Sequence, residues 1–123
     1  MRTRAEITLA RAPEAARHAR RFVEGVCAVW RLGALTSDAE TVASELVENT
    51  LQHTESRPHL RLELGLAGEL TVSVSDDNPG HARIRKPDRR GGFGLRLVEK
   101  TAADWGCTTT GARGKTVWAK LIA

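Results

Sequence analysis

Apolar and polar positions along the chain predict eight elements. Residues 5–11 alternate Ile7 and Leu9 with polar neighbours, as a half-buried edge strand does. Pro13 suits the first turn of a helix, with Glu14 near the positive end of its dipole. Phe22, Val23, Val26, Val29 and Trp30 then recur at helical spacing to about residue 32, and Gly33 reads as the stop. Ser37 and Glu40 form an S-x-x-E capping box. A second helix is therefore predicted from near Asp38 to about Thr54, striped by Val42, Leu46 and Val47. Leu60, Leu62, Leu64 and Leu66 alternate with His59, Arg61, Glu63 and Gly65, and Leu70, Val72 and Val74 alternate with Thr71, Ser73 and Ser75. The short connection at 67–69 makes these a β-hairpin with one buried face. Asp77-Asn78-Pro79-Gly80 is a turn signal, and the aperiodic stretch to Gly92 reads as a loop. Gly94 to Asp104 is predicted helical, and strands are predicted at about 105–110 and 115–122.

The order β-α-α-β-β-α-β-β predicts an α+β two-layer domain, a mostly antiparallel sheet covered on one face by three helices. A length of 123 residues fits one domain spanning 1–123. With 41% hydrophobic residues and no low-complexity tract, a packed core is expected rather than disorder. The first ten residues hold no apolar run of signal-peptide length. No stretch approaches the roughly 20 apolar residues of a membrane span, so a cytoplasmic location is the expectation. Cys27 and Cys107 match no metal spacing and are expected to be buried free thiols.

The net charge of +4 suggests an anionic partner. Residues 81–90 hold Arg83, Arg85, Lys86, Arg89 and Arg90 against Asp88, an excess equal to the whole. A nucleic-acid binder is a weak reading, since aromatics are only 4% and no recognised binding motif is present. The arginines of the N-terminal third have no assigned role at this level.

Four features carry candidate chemistry. Glu45, Asn49 and His53 lie at i, i+4 and i+8, on one helix face bordering the apolar stripe. Glu45 has the chemistry of a general base, and the Asn49 carbonyl oxygen that of a hard ligand for Mg²⁺; the bland reading is a solvated flank. Asp76 ends an apolar strand, where a carboxylate can accept from an exocyclic amine, or simply make an Asx turn. Gly91-Gly92-Phe93-Gly94-Leu95 precedes a helix, so its backbone N–H groups can approach an anion. The segment lacks the Gly-Lys-Ser/Thr of a Walker loop and does not follow a strand, as a dinucleotide-binding fingerprint would. Finally, Gly114-Lys115-Thr116 opens the last strand, with Thr116 able to bond a ligand or water.

The order of these segments resembles the N, G1 and G2 boxes and closing strand of the histidine-kinase-like (GHKL, Bergerat) ATPase superfamily. The matching runs are Ser44 to Asn49, Val72 to Asp76 with Pro79, Gly92 to Glu99, and Gly114 to Trp118. Within it the chain is similar to the small stand-alone anti-sigma factor serine/threonine kinases and their ATP-binding relatives. The resemblance implies ATP and Mg²⁺ as ligands. It implies Glu45 as general base, Asn49 on the metal, Asp76 on the adenine amino group and Thr116 completing the adenine-side network. It places His53, Pro79, Gly80, Gly92, Phe93, Gly94 and Leu95 around the nucleotide, with an ATP lid at about 78–93. The G1 box departs from larger relatives, with Asn78 and Gly80 at the positions of their two glycines.

The function so implied is a kinase that phosphorylates an anti-sigma antagonist and binds a sigma factor or similar regulator. The alternative is a non-catalytic ATP/ADP-binding module gating a protein interaction. By family analogy a homodimer through the first strand and helix, near Trp30, is expected. No direct nucleic-acid or membrane partner is expected, and the basic 81–90 cluster then suits a polyphosphate.

Overall fold

A computed structural model describes residues 3–76, 93–109 and 114–123 of the chain; of Phe93 and Gly94 it describes the backbone alone. The elements are β1 (Thr3–Thr8), α1 (Ala15–Val29), α2 (Gly33–His53), β2 (His59–Leu64), β3 (Leu70–Ser75), α3 (Phe93–Thr101), β4 (Asp104–Thr109) and β5 (Lys115–Leu121). The strands form one sheet in the order β1-β2-β3-β5-β4, and all four neighbouring pairs are antiparallel. This is the α+β sandwich expected from the order of the elements.

Period-two alternation gives the sheet its two faces. Register aligns Ile7, Leu60, Val74, Val117 and Cys107 in one cross-strand row, and Ala5, Leu62, Val72, Ala119 and Trp105 in the next. Leu64, Leu70 and Leu121 form a third. These rows line the core with the buried stripes of the helices. The α1 stripe is Ala15, Ala19, Val23 and Cys27, and α2 supplies Leu35, Ala39, Val42, Ala43, Leu46 and Val47. Small residues on both helices let them approach closely, and α2 also packs against β3, β5 and α3. Fully burying each Leu or Val of this set is worth about 1.5–3 kcal/mol.

The opposite sheet face is polar. His59 is held there between the Thr8 hydroxyl, 2.7 Å from Nδ1, and Glu6 Oε1, 2.6 Å from Nε2. That hydrogen bond from His59, helped by Arg61 and Arg4, holds the Glu6 carboxyl below its ordinary value. Two N-terminal arginines also find partners within the fold. Arg11 donates to the carbonyls of Ser56 and Leu51, satisfying the end of α2, and Arg20 donates to Ser44 Oγ. Both cysteines are free. Cys27 is buried and Cys107 half-buried, and burial pushes both thiols up.

Two expectations about the first helices are corrected. The second helix starts at Gly33, not near Asp38, so Ser37 and Glu40 lie inside it, and Gly33 is its first residue rather than a stop. The turn is made at Arg31, in the left-handed region at φ 59. The Leu32 N–H donates to the Cys27 carbonyl at 2.8 Å and the Arg31 N–H to the Ala28 carbonyl at 3.3 Å. That pairing is a Schellman motif, closed by arginine where glycine is usual. Leu35 and Ala39 extend the stripe of Val42 and Leu46 toward the N-terminus, so packing overrides the local capping signal. The first strand also sits earlier than expected, at Thr3–Thr8, leaving Leu9 buried beyond its end.

Candidate functional site

The parity of β3 decides what Asp76 does. Leu70, Val72 and Val74 face the core, so Asp76, two residues on, turns to the same helix-covered side. Its side chain is 3% exposed. Its N–H donates to the Lys115 carbonyl at 3.0 Å, which carries the β3–β5 ladder past the end of the strand. A carboxylate buried this far needs partners. One is Lys115, whose Nζ donates to Oδ2 at 2.7 Å from a side chain 17% exposed.

Lys115 is there for the same reason of parity. Val117, Ala119 and Leu121 face the core along β5, and so does Lys115. Thr116 points the other way: it is registered with Ser75, and the two hydroxyls share a hydrogen bond of 2.8 Å. Asp76 and Thr116 are therefore not brought together. The residue beside Asp76 is Lys115, which sequence reasoning passed over although the alternation of β5 pointed to it.

Gly114 lets β5 begin against Asp76. Its φ is +109, and a Cβ there would run into the Asp76 carbonyl oxygen and lie 3.1 Å from Oδ1. The close approach and the left-handed backbone both call for glycine.

Helix α2 brings Glu45, Asn49 and His53 along one face; Glu45 and Asn49 are half-buried and His53 is exposed. Helix α2 packs against β3, which leads into Asp76, and against α3. Phe93 and Gly94 form the first turn of α3, whose backbone N–H groups have no partner within the helix. Leu95 is buried in the core cluster and anchors that turn. Pro79, Gly80 and Gly92, and the lid expected at about 78–93 as far as residue 92, lie outside the described residues.

Among the described residues no group of three His, Cys, Asp or Glu could hold an ion. A base edge can meet a buried donor–acceptor pair at Asp76 and Lys115, and phosphates can meet the first turn of α3. No helix among the described residues is long and apolar enough to cross a membrane.

The fold is similar to that in the crystal structure of the RsbU and RsbW domains of Rv1364c from Mycobacterium tuberculosis, with a TM-score of 0.69 and 23% identity. The match covers 97% of this chain and 32% of that one, so the chain spans about a third of that relative's length. No curated protein matches the sequence. The model of the histidine kinase-like ATPase domain matches residues 9–121, which run from the end of β1 to the end of β5. The chain belongs to the histidine kinase-like ATPase domain family.

Proposed function

We propose that the chain binds ATP with Mg²⁺ and acts as a regulatory serine/threonine kinase of the anti-sigma factor type. It would phosphorylate an anti-sigma antagonist and hold a sigma factor or similar regulator. The observation that carries the nucleotide part is the buried carboxylate of Asp76 just past the end of β3, packed against Gly114 and paired with Lys115. Family membership and the ordered boxes of the sequence support it. The RsbW domain named for the structural relative agrees with the regulatory part.

On this reading Asp76 accepts from the adenine amino group, and the first turn of α3 faces the phosphates. Asn49 would hold Mg²⁺ through its side-chain carbonyl oxygen, a hard donor suited to that ion. The metal supplies charge neutralisation on the phosphates. Glu45 takes the proton from the serine or threonine hydroxyl as its oxygen bonds to the γ-phosphorus and the bond to ADP breaks.

The experiment separates binding from transfer. Asn49→Ala should weaken Mg-ATP binding by about a hundredfold or more while leaving the fold intact. Glu45→Ala should bind normally and transfer label to an antagonist protein about 10²–10⁴-fold more slowly. If both variants phosphorylate at the parent rate, the roles are wrong. If the parent binds ATP yet labels no candidate antagonist, the non-catalytic module that gates a protein interaction is the better reading.

A further inference from the structure

We infer that Lys115 reads the base together with Asp76: its ammonium donates to the ring nitrogen next to the amino group that Asp76 accepts from, so adenine meets a donor–acceptor couple. This rests on the nucleotide reading above and adds a specificity-determining residue to it.

Placement comes first. Among the described strands, Lys115 is the one charged residue on the face that the helices cover; every other charge on the sheet lies on the polar side. Its side chain is mostly buried, and its Nζ sits 2.7 Å from Asp76 Oδ2. A buried ion pair adds little net stability, because desolvation of both charges offsets their attraction. An apolar residue would continue the row of Val117, Ala119 and Leu121 at less cost. A charged pair kept at the end of the core face, where Gly114 is held against Asp76 so closely that a Cβ would collide with its carbonyl, points to recognition rather than to packing.

The chemistry then matches an adenine edge. An ammonium has three N–H donors, and one carboxylate oxygen takes one of them. Adenine presents a donor, its amino group, beside an acceptor, ring N1. Asp76 and Lys115 present the complementary acceptor and donor side by side. Guanine in the same orientation carries a hydrogen on that ring nitrogen and sets donor against donor. A lone carboxylate would read only the amino group.

The test titrates the parent chain and Lys115→Met with ATP and with 1-deaza-ATP, in which a C–H replaces ring N1. The parent should bind ATP about tenfold to a hundredfold more tightly than the analogue, the worth of one charge-assisted hydrogen bond. Lys115→Met should lose that factor for ATP and not for the analogue, so the two bind alike, and Lys115→Arg should restore the preference. Should Lys115→Met fail to fold because Asp76 is left without a counter-charge, the neutral double variant D76N/K115M replaces it, again with no preference expected. A parent that binds both nucleotides equally overturns the inference. So does a Lys115→Met chain that keeps the preference, since Lys115 then only holds Asp76. A parent that binds neither nucleotide overturns the nucleotide reading itself, and this inference with it.

Discussion

Gly114 and Gly25 show how differently one residue type can be constrained. Gly25 sits exposed in α1 with nothing within 4 Å of a would-be Cβ, so Gly25→Ala should stabilise the chain by about 0.5–1 kcal/mol. Gly114 is buried at φ +109 against the Asp76 carbonyl, which is backbone and cannot swing aside. Gly114→Ala should cost about 1–3 kcal/mol and weaken ATP binding, because the displaced strand carries Asp76 or Lys115 with it. Thermal melting of the two variants beside the parent checks the contrast, and a Gly114→Ala chain that melts with the parent contradicts it. At this scale the site was half legible. Asp76 stood out as a carboxylate closing an apolar strand. Lys115 did not, because a lysine at a strand start usually faces water, and Thr116 drew attention as the better hydrogen-bonding type. The alternation of Val117, Ala119 and Leu121 already put Lys115 on the Asp76 side.

The junction of α1 and α2 is decided by elements rather than by residues in isolation. Helix α1 ends where its stripe ends: Val29 is exposed, and Arg31 turns the chain at φ 59. A non-glycine residue in that region is strained by about 1–2 kcal/mol, partly offset by the lower chain entropy of the unfolded state. Arg31→Gly should therefore raise the melting temperature by a few degrees, about 0.5–1 kcal/mol, with far-ultraviolet dichroism unchanged. A lower melting temperature would mean that the arginine side chain contributes more than its backbone costs. The hairpin of β2 and β3 was readable because twelve residues repeat one two-residue period. The start of α2 was not, because a sound local capping box competes with a buried stripe that begins earlier, at Leu35, and packing contributes more than a cap.

Seen whole, the molecule separates stability from chemistry. One core joins all three helices to a single face of the sheet, while the other face carries the Glu6, His59 and Arg61 network. On the core side of the sheet, the charged groups Asp76 and Lys115 meet at one end of β3 and β5. The central claim is that this end holds the adenine base of ATP. Titration calorimetry of the pure parent chain with ATP in the presence of Mg²⁺, beside Asp76→Asn, tests it most directly. One nucleotide per chain should bind the parent with a dissociation constant on the order of micromolar, and Asp76→Asn should bind at least about tenfold more weakly while keeping the parent's dichroism. No heat from the parent up to about millimolar ATP, or equal affinity in the two chains, would contradict the account.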